Sequence, residues 1–131
     1  MGELLRDVAN FLIQNGKFTA INTDVFLDTK PDKPEELCSL FEYTGSEAGP
    51  GMELLNRRVQ VLVRAATYPQ AKAKAWEIYK LLGNPDPEEI LEFPGGRIAV
   101  VSPLQTPFKM ETDDKKRTEF VCNYNFLTHS D

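Results

Sequence analysis

RRVQVLVRAATYPQAKAKAWEIYKLLGN, residues 57–84, is the stretch that decides how this chain folds. Its first ten residues alternate. Val59, Val61, Val63 and Ala65 fall on one side, and Arg58, Gln60, Leu62 and Arg64 on the other. That period of two predicts a strand over residues 57–66. The period then changes. Pro69 suits the first helical position, with Thr67 or Tyr68 near the cap. Ala71, Ala75, Ile78, Tyr79 and Leu82 recur at helical spacing, and Gly83 before Asn84-Pro85 stops the helix. The alanines at 71 and 75 keep one side of this helix thin, so it can approach a sheet closely.

Working outward toward the N-terminus, residues 37–43 (LCSLFEY) alternate as a second strand, Cys38, Leu40 and Glu42 against Ser39, Phe41 and Tyr43. Between it and the first strand lies TGSEAGPGMELLN, residues 44–56. Three glycines and a proline in its first half argue against a regular element there. The two strands therefore read as a hairpin with an unusually long loop. Residues 28–36 are polar, carry two prolines and read as a loop or a single helical turn. Residues 21–27 read as a strand with Ile21, Val25 and Leu27 making apolar contacts. Before them, Leu4, Leu5, Val8, Phe11 and Leu12 share one helical face, Arg6, Asp7, Asn10 and Gln14 the other, and Asn15-Gly16 ends the helix.

Working toward the C-terminus, residues 87–90 read as one further helical turn, Gly95-Gly96 as a turn and residues 98–101 as a strand. Residues 106–117 hold the charged turn ETDDKKR. The last strand, 117–127, is long: Phe120, Cys122, Tyr124 and Phe126 line one face, and Val121, Asn123, Asn125 and Leu127 the other. The order is α-β-β-β-α-β-β. Each helix has one apolar stripe to bury, so the expected fold is α+β: a two-layer sandwich, a mostly antiparallel sheet of four to five strands with two helices packed on one face. At 131 residues the chain is the size of one domain, 1–131.

Hydrophobic residues make up 41% and charged residues 27%, the balance of a globular chain that can bury a core. The net charge of −5 argues against a broad basic face for nucleic acid. No run of 18 apolar residues offers a membrane span. The N-terminus lacks the basic start and cleavage site of a signal peptide, so a cytosolic protein is expected.

Candidate chemistry is sparse. The single histidine, His129, stands near the end of the chain, where segments fray, and is a poor partner for a nucleophile. Cys38 and Cys122 read as small buried thiols, and two cysteines with one histidine make no ordinary zinc site. Acidic groups at Asp86, Glu88, Glu89 and at Glu111, Asp113, Asp114 read as solvated turns. No catalytic residue, cofactor site or metal site is assigned, which points away from an enzyme. The interface candidates are Gly49, Gly51, Met52, Leu54 and Leu55 of the long loop, Arg58 and Arg64 of the polar strand face, and Trp76. Trp76 flanks the helix stripe and reads either as a core-edge residue or as an interface anchor. The competing reading is a small ligand-binding domain with a pocket around Arg64, Tyr79 and Asn123.

The block 57–84 resembles the central block of the tail terminator and minor capsid proteins of long-tailed bacteriophages. In that family a V-x-V-x-V-R strand, here Val59, Val61, Val63 and Arg64, runs into an alanine-rich helix ending like Ile78, Tyr79 and Leu82. The short strand ending in Ser102-Pro103, the charged turn and the long strand 117–126 fit the same order, as does the N-terminal helix. The resemblance implies a structural protein that forms a ring, a hexamer of copies of itself, capping the tail tube and joining it to the head–tail connector. It also implies a place in the virion at the head–tail junction, after assembly in the bacterial host cytoplasm, with DNA passing nearby without specific binding and no membrane. A head-completion ring is the neighbouring alternative.

Overall fold

The computed structural model describes residues 3–48, 53–83 and 89–131. Among them the chain runs α1 (Leu4–Gln14), β1 (Val25–Leu27), β2 (Leu37–Glu47), β3 (Leu55–Ala65), α2 (Tyr68–Leu82), β4 (Ile90–Glu92), β5 (Ile98–Pro103), β6 (Phe108–Thr112) and β7 (Thr118–Thr128). The strand–helix block is as its periodicity predicts. Thr67 caps α2 by accepting from the Gln70 N–H at 3.4 Å, and Gly83 closes it.

The strands form one sheet in the order β1-β2-β3-β7-β5-β4, with β6 also paired to β7. β1 runs parallel to β2 and every other pairing is antiparallel, so the sheet is mixed. β3 and β7 pair along their whole lengths, Leu55↔Thr128 to Ala65↔Thr118. β5 takes the C-terminal half of the other edge of β7 and β6 the N-terminal half. The inner face carries Val59, Val61, Val63, Phe120, Tyr124 and Phe126, buried under both helices. Each such side chain contributes about 1.5–3 kcal/mol by leaving water.

Helix α1 shows that the sheet curls. It lies over β1 and β2 at one edge. Yet Phe11 packs on Phe93 with ring centroids 4.7 Å apart, and Asp7 accepts a 2.8 Å bond from Arg97 Nε. Phe93 and Arg97 flank the turn between β4 and β5, at the opposite edge. One helix reaches both edges because the sheet closes partway around it, as a half-barrel with α1 in its trough.

The expected α+β class with both helices on one face is therefore present, but the sheet has seven strands instead of four to five and is curled instead of flat-layered. The differences have local causes. The strand expected at 21–27 is only Val25–Leu27, with Ile21 making a single bridge to Val25. The Asp24 carboxylate accepts the N–H groups of Thr19 (2.9 and 3.0 Å) and Ala20 (3.1 Å), a local turn that competes with a ladder. Ile90 starts β4 instead of ending a helical turn, while residues 87 and 88 lie outside the described residues. β6 hides in what reads as a charged turn because all five of its residues are exposed, so no buried face marks it. Asp7, on the helix face opposite the apolar stripe, is nonetheless buried under its pairing with Arg97.

Candidate interaction surface

β2 and β3 form a hairpin, called the arm, in which β3 is also paired to β7 throughout while β2 is an open edge beyond the residues that pair with β1. They pair from Leu37↔Arg64 out to Glu47↔Leu55, and from Glu42 onward every β2 side chain is exposed. The loop expected from residue 44 thus continues as strand, with a register shift between Tyr43 and Ser46. Gly45 makes this possible: a Cβ there would stand 2.0 Å from the Asn56 carbonyl oxygen. Only a residue without a side chain lets the two backbones approach so closely.

The root of the arm is bolted to the body. Arg57 grips the Glu42 carboxylate with Nε at 2.7 Å and Nη2 at 2.8 Å. Its Nη1 donates to the His129 carbonyl at 3.2 Å and to Asp131 Oδ1 at 2.7 Å. Asp131 Oδ1 also accepts the Leu4 N–H at 3.0 Å and Arg97 Nη2 at 3.1 Å. The Arg57 hydrogen bond, helped by the Leu4 N–H, holds the Asp131 carboxyl below the usual carboxylate range against the cost of burial. Residues 129–131 are thereby tied down, contrary to the fraying expected around His129.

Three further arginines fix the rest of the frame. Arg97 is fully buried; besides Asp7 it donates Nη1 to Thr128 Oγ1 (3.1 Å) and to the His129 carbonyl (2.9 Å). Arg64 is also buried, and it holds the 28–36 loop by donating to the carbonyls of Asp32 (3.0 Å), Pro34 (2.7 Å) and Glu35 (3.3 Å). Arg64 is therefore a structural clamp and not an exposed interface residue. Beside it the buried Glu119 is paired with Lys30, whose Nζ lies 2.9 Å from Oε2. Arg117 pairs with Asp113 at 2.8 Å and Asp32 at 3.1 Å, so Asp113 belongs to this clamp and is not a free turn acid.

The remaining candidates separate. Gly49, Gly51 and Met52 lie outside the described residues, as do Asp86 and Glu88. Leu54 and Leu55 are half-buried at the outer end of the arm, and Arg58 is exposed opposite Tyr43 and Asn125. Leu54 joins Ile90, Ile98 and Leu127 in an apolar groove of about 100 Å³. Trp76 is half-buried on α2, edge-on to Tyr79 with centroids 5.2 Å apart. Arg64 and Asn123 lie on the sheet face away from the helices and Tyr79 packs against the core beneath α2, so these three build no common pocket. Cys38 and Cys122 are buried free thiols, and burial pushes both thiols up. A cleft of about 360 Å³ lies between α2 and residues 17–24. Its Asp24 is engaged by Thr19 and Ala20, and its Lys74 by the Lys17 carbonyl and Glu77. Among the described residues no cluster of His, Cys, Asp or Glu is arranged to hold a metal ion.

Sequence reasoning missed Arg97, Arg57 and Asp131. One signal existed: Gly95-Gly96, both at positive φ, place an arginine immediately after a tight turn, where its side chain can be directed inward.

Comparison with curated proteins returned no match. The model of one protein family, described as bacteriophage tail terminator protein, matches residues 12–129. That span includes every strand of the sheet and Arg57, Arg64 and Arg97, while Asp7 and Asp131, which pair with Arg57 and Arg97, lie just outside it. The chain accordingly belongs to the bacteriophage tail terminator family, structural proteins of the phage tail.

Proposed function

We propose that this protein closes the phage tail as a ring of copies of itself, a hexamer, seated on the tail tube protein and joining it to the head–tail connector. The β2–β3 arm is the part that reaches the tail tube or the next copy. The observation that carries this reading is the arm's construction: an exposed ladder held rigid at its root by the Arg57–Glu42–Asp131 network. From Glu42 outward β2 is an exposed strand edge fixed against β3, and such an edge is suited to docking, because little ordering entropy remains to be lost on contact. A hexamer would carry a net charge of about −30, which repels phosphate and lets DNA pass without adhering.

The test is genetic and visual. Residues 48–54 are replaced by Asn-Gly, which links the register partners Glu47 and Leu55 in a two-residue hairpin. The shortened protein keeps its unfolding temperature, and phage carrying it produce unjoined heads and tails of uncontrolled length. Normal virions at wild-type titre would refute the arm's role.

A further inference from the structure

We infer that Asp131 is a positioning residue for the arm: acting through Arg57, it sets the open edge of β2 and couples that edge to the β4–β5 turn. What this does for docking rests on the reading of the arm above; the coupling itself belongs to the single chain.

Glu42 stands where β2 loses its neighbour. β1 pairs only as far as Leu40, and from Glu42 onward every β2 side chain is exposed. The Arg57–Glu42 pair is therefore the first side-chain hold on the open edge. A guanidinium is planar, and its donors form a rigid fork. In Arg57 the Nε and Nη2 edge of that fork holds both oxygens of Glu42, at 2.7 and 2.8 Å. Nη1, on the other side, is taken by Asp131 Oδ1 at 2.7 Å and by the His129 carbonyl at 3.2 Å. Whatever fixes Nη1 fixes the angle at which the fork meets Glu42. The Asp131 carboxylate is the stronger of the two holds, because its bond is shorter and charge-assisted.

The same oxygen serves the other side of the sheet. Asp131 Oδ1 also accepts Arg97 Nη2 at 3.1 Å and the Leu4 N–H at 3.0 Å. Arg97 donates to the His129 carbonyl as well, at 2.9 Å. Two arginines that the strand order keeps apart, with β7 between β3 and β5, thus meet on residues 129–131. Each keeps a carboxylate of its own, Glu42 for Arg57 and Asp7 for Arg97. Asp131 is therefore the link between two ion pairs and not the sole counter-charge of either, so its loss strands no buried charge. It is also the adjustable member of the network. Its side chain is 45% exposed while Arg97 is fully buried, and residues 129–131 carry no apolar side chain. A segment held by polar bonds alone opens before a packed core does.

The test is amide hydrogen exchange, resolved by NMR, on the isolated full chain as wild type, Asp131→Ala, Glu42→Gln and the double variant. Tyr43 and Arg58 report the arm, and Val61 and Cys122 the body. Phe93 and Gly96, whose N–H groups bond to Arg97 and Phe93 carbonyls, report the β4–β5 turn. Asp131→Ala should accelerate exchange about fivefold or more at both the arm and the turn, and leave the body within about twofold of wild type. Glu42→Gln should accelerate the arm and also change exchange at the turn by about threefold; added to Asp131→Ala, it should leave the turn where Asp131→Ala alone put it. Unchanged exchange at Tyr43 and Arg58 in Asp131→Ala overturns the positioning role. A turn that ignores Glu42→Gln, or that responds to it equally with and without Asp131, overturns the coupling. Equal acceleration at the arm, turn and body means that Asp131 only holds the fold together, and overturns both. The readout is made on the isolated chain, so normal virions from the shortened arm would remove the docking role and leave this result standing.

Discussion

Arg97 and Asp7 are 90 positions apart in the chain and 2.8 Å apart in the fold, with the guanidinium fully buried. Removing one partner of such a pair leaves an uncompensated buried charge, which costs about 3–5 kcal/mol. Arg97→Ala should therefore lose about that much in urea unfolding, whereas Arg58→Ala, on an exposed strand position, should change it by no more than about 0.5 kcal/mol. Asp131 adds a pH dependence. Its carboxyl titrates below its ordinary 3.8 because the folded state donates hydrogen bonds from Arg57 and Leu4. A depressed carboxyl contributes fully above its unfolded value and loses that contribution as the pH falls through the folded one. The unfolding temperature of the wild type should drop more steeply below about pH 4 than that of Asp131→Asn. None of this was legible in the sequence. Arg97 reads as the end of a glycine turn, and nothing local says that its partners are Asp7, Thr128 and Asp131.

At the scale of elements, legibility followed burial. α1, α2 and β3 were read correctly because each alternates or recurs against one buried face. β6 was missed because none of its residues is buried. The outer half of β2 was missed because a glycine-rich stretch ordinarily means a loop, and here Gly45 serves the close approach of two strands instead. Gly45→Val should force β2 away from Asn56 and lower stability by about 2 kcal/mol, the scale of a backbone clash in a folded element. The effect should concentrate in the arm: amide hydrogen exchange at Tyr43 and Arg58 should accelerate far more than at Val61 and Cys122. Uniform acceleration would mean that the arm and the body unfold as one unit.

At the scale of the whole molecule, the α+β class and the placing of both helices on one face followed from two apolar stripes and one alternating strand. The curl of the sheet did not. It depends on α1 touching Phe93 and Arg97 at the far edge, a contact between the two ends of the strand order that no periodicity encodes. The interface candidates divided in the same way: Leu54, Leu55, Arg58 and Trp76 are at or near the surface, while Arg64 turned inward because the 28–36 loop supplies three carbonyls to it. The family match covers the body and the arm together. We propose that this chain works by shape, closing on copies of itself where the tail ends. Native mass spectrometry of the purified protein mixed with tail tubes tests it most directly. A single closed multimer of one stoichiometry, at the tube end, is predicted; a chain that remains monomeric at every concentration, with and without tubes, would contradict it.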